Sequence, residues 1–512
     1  MKIRTGCLRK ISSAGLGFLL LLSGGILWSS GLVFSAQKRD PVKAKTEEGM
    51  EFMDGTFWRD QVLDDLMPYW FEHVRDEDHG AFYTNLSREW KPMPPWDKVP
   101  AMISRQVFSF SAAYLLSGKD KYLEVAREGA DYLLEHAWDE EYGGWFNSLT
   151  QTGAPKCTSK SVELQLYTNV GLALYYFTTG DERVRSRIEE SVKIRGTHAH
   201  DEEFGGYYQS LNRDLSIRDD GKNKHAHYGY VGSFSLNYWL ATRDPDFLRW
   251  TAHLTDLTLD RMTDPEEGWV YGFHSFFDRK WKRTPYKVND VEVASIGAQL
   301  TAVLSFLRLY HQTGNTIYLE RGKALGDKVC RCGWDAQRGG WYDLVEKTSP
   351  YRPVASPTIS WWIQIYGSFL QLQLYHLTQE EQYLDRFRKG ELFYDRYFVD
   401  HEYGGVFGSV SPDGSLIGDG RKAAPWQTSY HEIEHGLLNY LYLNLYVNKQ
   451  PAVLHFKLNG PGKHFVSLVD DPSVRIAGVR INGQPWADFD AQERSVTMPD
   501  GKGLKVEVTL AP

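Results

Sequence analysis

One short pattern recurs six times along this chain: acidic residues, then one or two glycines, then aromatic residues. Its clearest copy is Asp139-Glu140-Glu141-Tyr142-Gly143-Gly144-Trp145-Phe146. The last glycines of the six copies are Gly80, Gly144, Gly206, Gly268, Gly340 and Gly405, and successive ones lie 64, 62, 62, 72 and 65 residues apart. A repeat of this period is one supersecondary unit, which must stack on its neighbours because it cannot bury its apolar face alone.

The segments between the glycine turns carry apolar residues at helical spacing. Phe108, Ala112 and Leu115 form one such series, which a Ser-Gly-Lys-Asp break at 117–120 separates from the next. Each unit therefore predicts a helical hairpin. An open solenoid would need a polar last unit, but the last hairpin here is as apolar as the others. We therefore expect residues 51–448 to form an all-α (α/α)6 barrel, with the chemistry in its lumen at the ends of the inner helices.

The character of the chain changes after Asn448. Residues 449–512 contain alternating and β-rich segments, separated by turn signals such as Asn482-Gly483 and Asp500-Gly501. This part predicts a small C-terminal β domain that packs against the barrel.

The N-terminus predicts an export signal. Lys2, Arg4, Arg9 and Lys10 precede an uncharged run from Ile11 to Gln37. This pattern is typical of a secretory signal, although the run is also long enough to remain as a membrane anchor. We assign residues 1–36 to the signal peptide or anchor and 37–50 to a polar linker. The expected location is secreted or periplasmic, with a membrane contact only if the segment is retained.

Composition limits the partners. Lys and Arg number 58 against 66 Asp and Glu, a net charge of −8, and no basic run is present, so we expect no nucleic-acid partner. A chain that is 42% hydrophobic is not intrinsically disordered. Its 17 Trp and 30 Tyr are typical of sugar-binding clefts, because sugar C–H faces stack on rings, but they serve equally well as core residues.

Several predicted helix starts carry residues that are costly to bury. Arg105 needs an anionic or carbonyl partner, or a salt bridge to another helix. The other candidates are Asn223, His225, His227, Asn289, Asp290, Glu292, Trp361, Trp362, Gln364, Trp426 and His431.

His431-Glu432-Ile433-Glu434-His435 also has the spacing of a zinc-protease helix. No third ligand follows it, and we expect neither a metal nor a cofactor. Turn chemistry explains the Asp and Gly content of the repeated pattern without a calcium site.

Four motifs together resemble the N-acylglucosamine 2-epimerase and cellobiose 2-epimerase superfamily over residues 51–447. They are Arg105 with its downstream Gly118-Lys119-Asp120, Asn223-Lys224-His225-Ala226-His227, Trp361-Trp362-Ile363-Gln364, and Trp426 through Tyr430-His431. The resemblance implies an (α/α)6 fold and proton transfer at C2 of an open-chain sugar. By resemblance His431 is a proton-transfer base, His227 assists ring opening, and Arg105 stabilises the enediolate, while Tyr167 and Trp426 line the pocket. A mono- or oligosaccharide is the expected partner.

The chain departs from that family at one motif. The family's Gly-His-x-x-Glu, which supplies a second base, is matched by Val288-Asn289-Asp290-Val291-Glu292, and asparagine accepts no proton at physiological pH. Glu163, Tyr230 and Tyr366 also differ from the family's residues. Loss of one base impairs epimerisation more than aldose–ketose isomerisation, which a single base can perform.

Three hypotheses follow. The first is an exported epimerase or isomerase with His431 as base, in which Asp290 or Glu292 partly replaces the missing histidine. The second is a glycoside hydrolase or lyase that uses Glu163, Asp290 and Glu292 on the same barrel. The third is a non-catalytic carbohydrate-binding protein. Barrels of this kind serve several chemistries, so fold alone does not separate the three.

Overall fold

The computed structural model describes residues 48–272, 275–354 and 358–512. The predicted signal segment, 1–36, and residues 37–47 of the predicted linker lie outside the described residues. The chain divides into two units, Met1–Glu48 and Gly49–Pro512, and the helices and strands belong to the second. No helix in the described part of the chain combines the length and apolarity that crossing a membrane requires.

Most of the described chain before residue 448 is helical. The α-helices are α1 (Gly55–Asp60), α2 (Met67–His73), α3 (Pro100–Ser117), α4 (Asp120–Tyr132), α5 (Val162–Tyr167), α6 (Asn169–Thr179), α7 (Glu182–Ile194), α8 (Leu236–Thr242), α9 (Pro245–Arg261), α10 (Ile296–Thr313), α11 (Thr316–Cys332), α12 (Trp361–Thr378), α13 (Glu381–Phe398) and α14 (Tyr430–Tyr442). Five of the six predicted helical hairpins are present among the described residues, as α3–α4, α6–α7, α8–α9, α10–α11 and α12–α13, while α14 packs on α1 from the start of the described chain.

The first helices α3, α6, α10 and α12 are buried on most sides, α8 alternates between buried and half-buried residues, and the second helix of each pair is amphipathic. In α3, every residue from Pro100 to Leu116 is buried. In α4, by contrast, the buried residues form a stripe that includes Tyr122, Ala126 and Ala130. The inner helices α3, α6, α8, α10, α12 and α14 pack in sequence, and α14 packs back on α3. The first helices are covered by neighbours on most sides and are therefore largely apolar. The second helices have one covered face and one solvent face, and are therefore amphipathic.

The repeated acidic–glycine pattern builds a buried turn. Asp139 accepts backbone N–H groups from Glu141 and Tyr142, and its other carboxylate oxygen lies 2.9 Å from the Nζ of Lys160. Gly143 and Gly144 have φ of 75° and 82°, which favours glycine there. Equivalent lysine–aspartate pairs join Lys98 to Asp76, Lys222 to Asp201, Lys347 to Asp264 and Lys422 to Asp400. The acidic residues of the repeat therefore have a structural role, and turn chemistry accounts for them as expected.

Short strands connect the hairpins. They are β1 (Ser148–Leu149), β2 (Pro155–Cys157), β3 (Lys160–Ser161), β4 (Ser210–Leu211), β5 (Ile217–Asp219), β6 (Lys222–Asn223), β7 (Phe276–Phe277), β8 (Arg283–Thr284), β9 (Lys287–Val288), β10 (Val291–Ser295), β11 (Trp334–Asp335), β12 (Gly340–Trp341), β13 (Leu344–Glu346), β14 (Ile359–Ser360) and β15 (Ser409–Val410). Because β3, β10 and β14 run directly into α5, α10 and α12, they lie at the N-terminal ends of inner helices.

A five-stranded sheet follows the helices. Its strands are β16 (Ala452–Phe465), β17 (Arg475–Ile481), β18 (Gln484–Trp486), β19 (Phe489–Asp490) and β20 (Ser495–Ala511). The order is β16-β20-β17-β18, with β19 on β20, and the pairings are antiparallel. One face of β16 packs on α3, α6 and α8, burying Leu454, Phe456 and Leu458. The sheet thus shares a continuous core with the helices.

Candidate active site

Two residues predicted from the sequence meet where α3 and α14 pack together. The Nη2 of Arg105 lies 2.5 Å from the Nε2 of His431, and Nη1 donates to the carbonyl of Trp426 at 2.6 Å. Arg105 is 2% exposed and makes no salt bridge within the described residues. A buried guanidinium needs compensating partners, and Tyr167 and Tyr430 provide them with their ring faces, 5.1 and 5.0 Å away.

The contact with Arg105 determines the protonation state and the tautomer of the His431 imidazole. Burial, and then the nearby Arg105 charge, hold the pKa of His431 well below its ordinary value. Since the guanidinium can only donate, the Nε2 of His431 is the acceptor and its Nδ1 carries the proton. Nδ1 lies 3.5 Å from the Oε2 of Glu434. The ring is therefore neutral, with its basic nitrogen beside a fixed cation.

Aromatic rings enclose His431 on several sides. Trp362 lies nearly parallel to it at 6.1 Å between centroids, while Trp361 and Tyr366 approach edge-on at 5.8 and 5.4 Å. Trp361 is 9% exposed, so it is mainly a wall of the site. Rings in this arrangement exclude water and offer faces on which a sugar can stack.

Trp426 marks the exposed edge of the site. It is 41% exposed, and its ring lies nearly parallel to Tyr167 with centroids 6.1 Å apart. Its φ of 80° is in the left-handed region, which costs a bulky residue on the order of 1–3 kcal/mol. That conformation directs its carbonyl towards Arg105. Tyr167 and Trp426 therefore lie where the resemblance implies a pocket lining.

A second group of ionisable residues connects to Tyr167 through Tyr230. Glu163 accepts a hydrogen bond from the Tyr230 hydroxyl at 3.0 Å, and its carboxylate is 3.4 Å from the Nδ1 of His225. The Tyr230 and Tyr167 rings are 4.5 Å apart. Burial raises the pKa of Glu163 to about 7 and lowers that of Lys224 to about 7. Glu163 is thus suited to exchange a proton near neutral pH.

Glu434 is a further acid that motif matching missed. Its Oε1 accepts from the Tyr430 hydroxyl at 2.8 Å, and its Oε2 has no hydrogen-bond partner within the described residues. Burial raises its pKa to about 7. The available signal was its position three residues after His431, which places both side chains on one helix face.

His227 does not have the geometry that the resemblance implied. Its side chain is fully buried: Nδ1 contacts the Asn223 carbonyl at 2.6 Å, and Nε2 accepts the Tyr207 N–H at 3.0 Å. Neither nitrogen is left for a sugar, which corrects the predicted ring-opening role. The Asn223 side chain is likewise committed, to Gln209 and to the Ala226 N–H. Of this motif, His225 is the residue that reaches Glu163.

Gln364 also has a structural role instead of the predicted contact with substrate. Its amide pairs with both the N–H and the carbonyl of Trp341, at 2.7 and 3.0 Å. Gln165 pairs with Trp145 in the same way, and Gln299 with Val270. Each glutamine fastens an inner helix to the residue after a glycine turn, so the side chain belongs to the repeat.

The segment with Asn289 is a β-hairpin that leads into α10. Asn289 and Asp290 are exposed at its tip, with φ of 50° and 64°, between paired strands β9 and β10. Glu292 pairs with Arg283 at 2.6 Å and with Lys347 at 3.5 Å. Asn289 and Asp290 thus lie at an exposed turn and Glu292 is held by two basic side chains. None of the three makes a described contact with His431, and their catalytic or substrate-binding roles stay predictions.

Replacing Asn289 with histidine is accordingly expected to leave activity unchanged within about twofold, as for other exposed substitutions. Deuterium incorporation at C2 of candidate aldoses would measure this, with thermal unfolding as a check on folding. A tenfold gain in exchange would show instead that position 289 reaches the substrate.

The His431–His435 pattern does not assemble a metal site within the described residues. His435 pairs with Glu391 at 2.9 Å, whereas His431 faces Arg105. Glu432 accepts a hydrogen bond from the Trp70 indole N–H. The three side chains therefore have separate partners.

Burial raises the pKa of Glu432 from 4.5 to about 8. The folded state holds this proton more tightly than the unfolded state, so the contribution of Glu432 to stability declines as pH rises between those values. Glu432→Gln, which keeps an acceptor for Trp70, should therefore gain stability relative to the parent by about 1 kcal/mol per pH unit in that window. Denaturant unfolding at about pH 5 and about pH 8.5 would measure the gain. A difference independent of pH, or the same trend in the exposed control Glu320→Gln, would contradict the assignment.

An aromatic pocket with acid–base groups at the ends of helical hairpins is typical of carbohydrate-active enzymes. The comparison with known families agrees: the N-acylglucosamine 2-epimerase family (GlcNAc 2-epimerase) matches residues 80–434. The chain belongs to this family.

Individual relatives have related activities in their names. The chain is 24% identical over 376 residues to the cellobiose 2-epimerase of Bacteroides fragilis, covering 72% of this chain and 93% of that protein. It is 21% identical over 387 residues to the D-mannose isomerase of Marinomonas mediterranea, with the same coverage. The solved cellobiose 2-epimerase of Spirochaeta thermophila superposes with a TM-score of 0.68 at 22% identity, over 78% of this chain and 98% of that one. That likeness supports the fold.

Proposed function

We propose that the protein is an exported sugar 2-epimerase or aldose–ketose isomerase that moves the C2 proton of a reducing-end sugar through an enediolate. The observation that carries this proposal is the contact between His431 and Arg105 beside Tyr167 and Trp426. We also infer that the inner helices close an (α/α)6 barrel whose lumen holds this site, since α14 packs back on α3.

The first chemical step requires a neutral base and a cation. When the substrate carbonyl oxygen accepts the hydrogen bond that Arg105 otherwise donates to His431, the lone pair of Nε2 becomes available. Nε2 then takes the C2 proton of the open-chain aldose, and the electron pair left behind forms the C1–C2 double bond of the enediolate. The carbonyl oxygen at C1 becomes negative as its π bond breaks, and Arg105 stabilises that charge by hydrogen bonding. Glu434, 3.5 Å from Nδ1, stabilises the imidazolium that forms.

The route of proton return determines the product. Return of the proton by His431 to C1, with transfer of the O2 hydroxyl proton to the O1 oxyanion, gives a ketose with one base. Delivery to the opposite face of C2 gives the epimer, and Glu163 is the candidate donor, since its pKa is about 7 and its partner Tyr230 packs on Tyr167, the ring that Arg105 also contacts. Glu163 would then act as the second proton-transfer group, the role of the family histidine that Asn289 replaces in this sequence.

The test is incubation with free aldoses and cellobiose in heavy water, with products read by NMR. Deuterium at C2 of an epimer supports the two-base route, and a ketose labelled at C1 supports the one-base route. Binding of sugar without either product would favour the carbohydrate-binding hypothesis. Glu163→Gln should abolish epimer formation while leaving ketose formation, because only the former needs a second donor.

Hydrolysis remains a second candidate because Glu163 and Glu434 both have pKa values of about 7. An acid of this kind can protonate a glycosidic oxygen. In this version Glu434 joins Glu163, in place of Asp290 at its exposed turn and of Glu292, which pairs with Arg283 and Lys347. New reducing ends from oligosaccharides, lost in Glu434→Gln, would support this alternative.

Export is proposed from the basic residues and apolar run of segment 1–36. Fractionation of cells that express the full chain, with N-terminal sequencing of the product, tests it. A cytosolic protein with an intact N-terminus would refute export, and a membrane-bound one would identify the segment as an anchor.

A further inference from the structure

Three metal-ligating side chains converge at the end of the inner helices opposite His431. His311 is in the last turns of α10, and His376 is in the last turn of α12. Asp471 comes from the loop between β16 and β17. One donor atom from each of the three residues lies within 4.8 Å of the other two. Three parts of the chain that are distant in sequence thus present two imidazoles and a carboxylate to one point.

Two of these side chains contact each other, and the third has no hydrogen-bond partner among the described residues. His376 contacts Asp471 through Nε2 and Oδ2, and the Tyr446 ring, 3.7 Å away, holds the imidazole in place. The ring centroids of His311 and His376 are 5.8 Å apart. Within the described residues, neither nitrogen of His311 has a hydrogen-bond partner. A half-buried imidazole without a protein partner, beside a histidine–carboxylate pair, has its nitrogens free to bind a further ligand.

The loop that carries Asp471 is fixed independently of the cluster. Arg308 pairs with the neighbouring Asp470 at 2.6 Å. Arg494 donates to the carbonyls of Val469 and Asp471. The second carboxylate oxygen of Asp471 accepts the Ser473 N–H at 2.7 Å, which orients the side chain. Ligands that are preorganised by such outer contacts bind metal more tightly, because little ordering is lost on binding.

We propose that His311, His376 and Asp471 form a binding site for a divalent transition-metal ion, which fastens the C-terminal sheet to the inner helices. Two imidazole nitrogens and one carboxylate oxygen suit zinc or a neighbouring first-row ion, with water completing the coordination. The helix C-termini that carry both histidines add negative potential, which favours a cation. The site is separate from the His431 chemistry, and its role is structural because it joins the helices to the sheet.

The experiment is zinc binding by the folded full-length protein after chelator dialysis, measured by equilibrium dialysis with elemental analysis. We expect about one equivalent per chain, and a higher melting temperature in zinc than in chelator. Cobalt as a substitute should give visible absorption bands of an N/O-ligated site. His311→Gln, His376→Gln and Asp471→Asn should each weaken zinc binding by about tenfold or more.

His311→Gln is the decisive variant, since it removes no hydrogen bond within the described residues and folding should be retained. The exposed His401→Gln should bind like the parent, as should His431→Ala, which breaks the zinc-protease pattern. Stoichiometric binding lost in His311→Gln and kept in both controls supports the proposal. It is overturned if the parent binds less than about half an equivalent at micromolar free zinc, if His311→Gln binds like the parent, or if His431→Ala loses the ion.

Discussion

Replacing His431 with alanine should lower kcat/KM for C2 proton transfer by a factor of about 10²–10⁴, the usual contribution of a positioned general base. The neutral ring 2.5 Å from the Arg105 guanidinium is the described group best placed to accept that proton. The loss should fall on kcat, since the rings that bind the sugar remain. Deuterium incorporation at C2, followed with time, measures the effect.

The control for this variant is His401→Ala, which truncates an exposed histidine. Circular dichroism and thermal unfolding should show that His431→Ala remains folded, because His431 is at the surface of the site and not in the main core. A variant that retains activity within about threefold, with unchanged fold, would rule out His431 as the base.

Arg105→Met should lower kcat by about 10²–10³, as expected when a preorganised oxyanion partner is removed. The pH dependence of the rate distinguishes loss of the Arg105 charge from loss of its packing. Because Arg105 lowers the pKa of His431, its removal should raise that pKa and move the acidic limb of the pH–rate profile to higher pH. Arg105→Lys, which keeps the charge but not the paired donors, should recover part of the rate and restore the limb towards the parent position.

The measurement is the pH dependence of kcat/KM for parent, Met and Lys variants. A rate loss in Arg105→Met without any displacement of the acidic limb would mean that the guanidinium does not act on His431. Equal rates for the three proteins would remove Arg105 from the mechanism.

The sequence predicted the positions of Arg105 and His431 better than that of Asn289. Helical hairpins follow from the period of the repeat, and Arg105 and His431 lie in the first two turns of regular helices, where spacing predicts direction. Asn289 was placed by matching a motif to an irregular segment. Asn-Asp between Val-rich stretches is also a two-residue hairpin turn, and that local signal describes the structure better than the motif does.

Sequence alone determined the paired helices, the β-rich C-terminus and the family, because these rest on periodicity and on residues adjacent along the chain. Tertiary structure decided which histidine contacts Glu163 and that Gln364 binds the turn at Trp341. It also brought His311, His376 and Asp471 together. The physical reason is that these contacts join residues far apart in sequence or in irregular segments, where the direction of a side chain depends on what packs against it and not on its spacing.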